Sequence, residues 1–177
     1  GAISATGKGH YQTTNIEKVN HYSFHAASAN RQGACYGDVK RPEDIGTGSS
    51  VLLSSYRSAA GGGAIRIDAG AVVVNGTIEA NANADPNQGS AAAGSILIEA
   101  PSITGAGSIC AQGAVSGNSS GSSCSSGGRI GLWTTSAIDL STLTVSAGAS
   151  ANGYNACGTV YLHDSASTYG TLVIDNK

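Results

Sequence analysis

The sequence predicts an all-β fold: a parallel β-solenoid of about 30–36 residues per coil, with an irregular insertion near its N-terminus. The first observation behind this expectation is a repeat. Gly63-Ala64-Ile65-Arg66-Ile67-Asp68-Ala69, Gly94-Ser95-Ile96-Leu97-Ile98-Glu99-Ala100, Gly128-Arg129-Ile130-Gly131-Leu132-Trp133-Thr134 and Gly158-Thr159-Val160-Tyr161-Leu162-His163-Asp164 follow one rule. Their anchors Ile65, Ile96, Ile130 and Val160 are 31, 34 and 30 residues apart. The second observation is that each segment is trailed by another: Gly76-Thr77-Ile78-Glu79-Ala80, Gly107-Ser108-Ile109-Cys110-Ala111, Thr142 to Ala147 and Gly170 to Val173. The third is composition. With 26 glycines, no methionine and 5% aromatic residues, the chain suits tight turns and thin layers better than a helical core.

Within each leading segment the apolar pairs Ile65/Ile67, Ile96/Ile98, Ile130/Leu132 and Val160/Leu162 alternate with Arg66/Asp68, Leu97/Glu99, Gly131/Trp133 and Tyr161/His163. Period-two alternation sends the first set inward and the second outward. The trailing segments point Ile78, Ile109 and Val145 inward, Glu79, Cys110 and Ser146 outward, and the small Ala80, Ala111 and Ala147 inward again. A solenoid unit cannot bury its own apolar face, so the pattern asks for units stacked in register. Residues 1–177 read as one domain. Residues 1–9 overlay the trailing half of a coil, 10–60 form an insertion packed on the flank by Tyr11, Tyr22, Phe24, Tyr36 and Tyr56, and 61–177 hold the regular coils.

The order Gly1 to Gly9, Tyr36-Gly37 with Pro42 and Gly46, Gly61-Gly62-Gly63-Ala64-Ile65-Arg66-Ile67, Asn75-Gly76-Thr77-Ile78-Glu79-Ala80-Asn81, Gly94-Ser95-Ile96-Leu97-Ile98 and Gly127-Gly128-Arg129-Ile130-Gly131-Leu132 resembles Gly-rich repeat segments of large secreted or surface proteins, adhesin-like or fibre-forming, of microbes and protists. The resemblance covers most of the chain. It implies a right-handed parallel β-helix in an extracellular, structural or adhesive setting, and no catalytic residues. The cysteines and the sparse glycine of residues 10–30 depart from that pattern.

A net charge of −2 with 11% charged residues lacks the basic stripe that nucleic acid or an anionic membrane surface would require. No window is apolar enough for a membrane-spanning helix. The sequence shows no leader segment and no methionine, and reads as a mature product or a piece of a longer chain. Four cysteines without a C-x-x-C favour disulfides and an oxidising compartment, with Cys110–Cys124 and Cys35–Cys157 as the preferred of three pairings. Asn75-Gly76-Thr77 and Asn118-Ser119-Ser120 are N-glycosylation triplets.

The outward face holds the candidate chemistry. In-register stacking would set Asp68, Glu99, Trp133 and His163 in one column, with Tyr161 beside it. Two carboxylates and aromatics could hold a glycan or, with a further acid or base, cleave one. The plainer reading is a solvated face, or one covered by the insertion. His21 and His25, near His10 and Cys35, have the spacing of a zinc pair but no confident helix, so no metal or cofactor is expected. Gly117 to Gly121 fits G-x-S-x-G without its strand-to-helix context, and Thr142-Leu143-Thr144 alone makes no ice-binding array.

The termini suggest assembly. Ala2, Ile3, Ser4 and Ala5 form a half-coil and Leu172, Val173 and Ile174 follow the last coil, with no capping element evident at either side. Open edges invite stacking of copies head to tail, which gives a filament when it does not close. The expectation is therefore a non-enzymatic extracellular or cell-surface structural subunit whose partners are copies of itself and bound or attached glycans. The alternative is a glycan-binding adhesin segment, and behind it a polysaccharide-active enzyme.

Overall fold

A computed structural model of the chain describes residues 1–10, 36–48, 59–83, 91–114, 125–148 and 157–175. Every element among them is a strand: β1 (Ala2–Ser4), β2 (Ala64–Asp68), β3 (Val72–Val73), β4 (Thr77–Glu79), β5 (Ser95–Glu99), β6 (Ile103–Thr104), β7 (Ser108–Cys110), β8 (Arg129–Trp133), β9 (Thr144–Ser146), β10 (Gly158–His163) and β11 (Thr171–Asp175).

These strands form three separate sheets, of order β1-β4-β7-β9, β11-β10-β8-β5-β2 and β3-β6. The architecture corrects the expectation of one right-handed parallel solenoid of stacked coils. The strands are short and divided among distinct sheets, and the five-stranded sheet is mixed because β11 runs antiparallel to β10. The reversal has a local cause. Asp164 Oδ1 accepts the Ala166 N–H, Gly170 N donates to the Ser167 carbonyl, and Gly170 takes a positive φ of 77° that glycine adopts without strain. The chain after β10 is thus turned back on itself, where the sequence pattern had read another trailing strand beside β9.

Pairing within the sheets follows the alternation. Ile65, Ile96, Ile130 and Val160 are register partners in turn, as are Ile67, Ile98, Leu132 and Leu162. Ile3, Ile78, Ile109 and Val145 make a third row. Branched side chains at matching register pack flank to flank, which is why Ile96, Ile98, Ile109, Ile130 and Leu132 are fully buried in one continuous cluster.

The four- and five-stranded sheets meet where β2, β5 and β8 begin. Gly63 N donates to the Ala5 carbonyl, Gly94 N to Ala80 and Gly128 N to Ala111. Ala80, Ala111 and Ala147, all wholly buried, line this seam. A Cβ on Gly94 would fall 1.8 Å from the Gly63 carbonyl oxygen, so the approach tolerates no side chain there.

Cys110 and Cys157 are free thiols in this structure, and the partners expected for them, Cys124 and Cys35, lie outside the described residues. Cys110 stands half-buried on the outer face of β7 between its register partners Glu79 and Ser146. Burial pushes its pKa up, the neighbouring Ser108 hydroxyl pulls it down, and the Glu79 charge adds to the rise, so it is a poor nucleophile.

Three substitutions separate these contributions. Gly94→Ala should lower unfolding stability in denaturant by about 1–3 kcal/mol through overpacking. Gly70→Ala, whose Cβ would meet nothing within 4 Å, should change it by less than about 0.5 kcal/mol. Ile130→Ala, in the fully buried row, should cost about 2–5 kcal/mol.

Candidate functional site

The outward column that the alternation places on the five-stranded sheet exists: Asp68 pairs in register with Glu99, Glu99 with Trp133, and Trp133 with His163. The adjoining outward row is Arg66, Leu97, Gly131 and Tyr161. A leucine and a glycine on an outward face are unexpected, and the structure explains them. Residues 38–42 lie across this row as a strap. Leu97 and Pro42 are both fully buried. A Cβ on Gly131 would sit 2.7 Å from the Lys40 carbonyl oxygen and 2.8 Å from Pro42 Cδ, so only glycine lets the strap approach the sheet here.

The strap is built by local chemistry. Asp38 Oδ1 accepts the backbone N–H groups of Lys40, at 2.6 Å, and Arg41, at 2.9 Å, closing a turn that presents the Lys40 carbonyl to the sheet. Those two hydrogen bonds, the Arg41 one foremost, hold the Asp38 carboxyl below the usual aspartate range. The indole N–H of Trp133 donates to the Lys40 carbonyl at 2.7 Å. On one flank of the indole, His163 stacks at 4.4 Å between centroids with the planes 15° apart. The Arg41 guanidinium lies 4.3 Å from the indole centroid and also binds Glu99, the register partner on the other flank. Lys40 Nζ stands 5.6 Å from the Tyr161 ring centre.

Glu99 joins Arg41 through Oε1 and Arg66 through Oε2, the latter at 3.0 Å, and Arg66 also reaches Glu43. The Glu99 carboxylate, expected as a glycan contact, is thus bound by two guanidiniums. Exposed pairs of this kind are worth about 0–1 kcal/mol each, and their main effect is to hold the strap in register. Tyr36 supports the strap's far side: its hydroxyl donates to the Ile45 carbonyl, and burial followed by the Asp44 charge raises its pKa against the opposing pull of Arg129.

The structure therefore brings together Asp68, Glu99, Trp133, Tyr161 and His163, as the sequence reading had grouped them, but Trp133 is sandwiched and Tyr161 buried. A sugar has no open indole face to stack on. The residues that sequence reasoning missed are Asp38, Lys40, Arg41 and Pro42; the readable signal was Leu97 in line with Gly131, an apolar and an empty position where alternation demands polar ones. Of the assembly residues, Ile3 is half-exposed on the outer strand β1, and Leu172, Val173 and Ile174 are exposed on the outer strand β11. Asn75 is exposed; Asn118, Cys35, Cys124, His21 and His25 lie outside the described residues. Among the described residues no three of His, Cys, Asp and Glu gather as a metal site, and no helix is long and apolar enough to cross a membrane.

Comparison with protein-family models, with curated proteins and with solved structures gave no match.

Gly131→Ala should lift the strap, and fluorescence of Trp133, the single tryptophan, should shift to the red as its indole is wetted. An unshifted emission maximum in a folded Gly131→Ala chain would mean that the strap does not shelter the ring. Asp38 also predicts a pH dependence. Its folded-state pKa is depressed, so its contribution to strap docking is present above the unfolded pKa and is lost as pH falls through the lower folded value. The Trp133 signal should hold through mildly acidic pH and change only below the ordinary aspartate range, and Asp38→Ala should remove that step.

Proposed function

We propose that the chain is an extracellular structural subunit that assembles with copies of itself, head to tail, into a filament or surface fibre. The observation that carries this reading is the pair of outer strands of the five-stranded sheet. β2 and β11 lie at opposite ends of it, each with one edge unpaired among the described residues. On β11, Leu172 is 51%, Val173 42% and Ile174 65% exposed. Strands that face solvent are ordinarily guarded by charge, proline or a bulge, and β11 has none of these before Asp175.

A copy displaced along the stack would lay its β2 beside β11. It would run antiparallel to β11, as β10 already does, so the junction repeats a pairing present within the subunit. Ile3 and Val73, at 52% and 65% exposure, add apolar surface at the β2 end. A contact between unlike ends leaves a free end on each added subunit, which propagates.

The extracellular setting is supported by the low charge, the Gly/Ser-rich composition and the resemblance to secreted repeat segments; with Cys110 and Cys157 free, it draws no support from disulfides. Glycan binding on the strap-covered face has no observation in its favour, and this reading assigns no catalytic residue.

Electron microscopy of the purified chain should show fibres, and Ile174→Lys or Val173→Lys should disperse them into folded monomers. Monomers of the unmodified chain at high concentration, or fibres undiminished in both variants, would overturn the proposed junction.

A further inference from the structure

We propose that Asn75 is a glycan acceptor, carrying an N-linked oligosaccharide at the corner between β3 and β4. The inference rests on the extracellular reading but not on assembly. Asn75-Gly76-Thr77 has the acceptor asparagine, a middle residue other than proline and the hydroxyl residue two positions on. Such triplets are common by chance, so the structural setting has to decide.

That setting is open. Asn75 is exposed, on the bend that joins the two-stranded to the four-stranded sheet. One unit later the equivalent position is Ala106, at the matching turn before β7, so the packing of this corner does not require asparagine. The Ala106 N–H donates to Asn75 Oδ1 at 3.4 Å, a long and weak bond. It orients the planar amide, with its oxygen toward the protein. Nδ2, the other arm of the amide, makes no hydrogen bond among the described residues. The side chain thus keeps its reactive nitrogen clear of the fold and leaves room for a bulky group.

The chemistry is a glycosyl transfer. Nδ2 attacks the anomeric carbon of a lipid-pyrophosphate-linked oligosaccharide presented by a transferase of the secretory pathway. The N–C bond forms as the bond from that carbon to the pyrophosphate oxygen breaks, one amide proton is lost, and the lipid pyrophosphate departs. No oxidant or reductant enters. Transfer takes place on the extended chain; the folded corner has only to accommodate the product, and its exposure does so. Placed there, the glycan lies on the bend two residues beyond Val73 and not on the five-stranded sheet. Its bulk and hydration would instead oppose side-by-side clumping of copies.

The test is to secrete the full chain from a eukaryotic host behind a heterologous leader, so that the native location of the protein is not at issue. The secreted chain should shift in mass on treatment with a peptide amidase that releases N-glycans, and peptide mapping should find the resulting Asn→Asp conversion at position 75. Asn75→Gln and Thr77→Ala should abolish occupancy at this position while Thr77→Ser retains it. Asn75→Gln should keep the circular dichroism and melting behaviour of the unmodified chain, so its lost glycan cannot be ascribed to misfolding. A secreted chain with Asn75 unmodified, or with sugar at Asn118 alone, overturns the proposal. Fibre formation, scored separately on the amidase-treated chain, tells a failure of the assembly reading from a failure of this one.

Discussion

Everything in this fold depends on how closely two sheets can approach. At the start of β2, β5 and β8 a glycine N–H donates across to an alanine carbonyl at the end of a strand in the four-stranded sheet. Backbone-to-backbone bonding between sheets leaves no room for side chains at the seam, so the positions are glycine on one side and alanine on the other, half-buried at Ala5 and wholly buried at Ala80 and Ala111. That narrowness sets the rest of the interior. Beyond the seam the space admits isoleucine, leucine and valine in register but nothing larger, and the wholly buried apolar residues are aliphatic throughout. Among the described residues, no aromatic side chain joins that interior cluster.

A narrow interior buries little surface per strand, so the outer faces have to contribute. The strap does this on one face of the five-stranded sheet. It buries Leu97 and Pro42 and gives the Trp133 N–H a carbonyl partner. The cation–π contact of Arg41 and the charge network through Glu99 are exposed at the edges, where each is worth about 1 kcal/mol or less. Packing against Gly131 therefore sets the position of the strap, and the charges around it tune the register.

Much of this was readable in the residues. Alternation with a period of two, repeated about every thirty residues, identified the strands, their inward faces and their register partners, because a slip of one residue would expose every isoleucine. The same pattern overreached in treating the stack as one uninterrupted solenoid. Periodicity reports which side of a strand is apolar. It does not report which direction the strand runs, and Leu172-Val173-Ile174 has the same alternation whether it lies parallel beside β9 or, as found, antiparallel beside β10. Direction was decided by Asp164 and Gly170, a turn signal at the ends of two repeat segments that alternation does not read. The strap was hidden for a related reason: it belongs to a segment with no period, and its trace in the repeat was Leu97 and Gly131. An even count of cysteines says nothing of where the sulfurs point, and Cys110 and Cys157 are free thiols.

The reversed strand also limits how copies could join. Asp175, brought opposite Gly158 by the antiparallel turn, places Oδ2 within 2.9 Å of Ala147 N and 3.0 Å of Gly148 N, and Ser146 Oγ donates to it at 3.2 Å. Donors that follow β9 and would otherwise await a further strand are thereby satisfied by a carboxylate. The four-stranded sheet is closed at this side, while the five-stranded sheet ends in exposed apolar side chains on β11. One strand both seals one sheet and presents the edge of the other. In the proposed junction the β11 side of the contact therefore falls on the five-stranded sheet, which makes it smaller than a continuous stack of all three sheets would give. Its strength then has to come from the apolar side chains of β11 and not from backbone pairing over the whole cross-section.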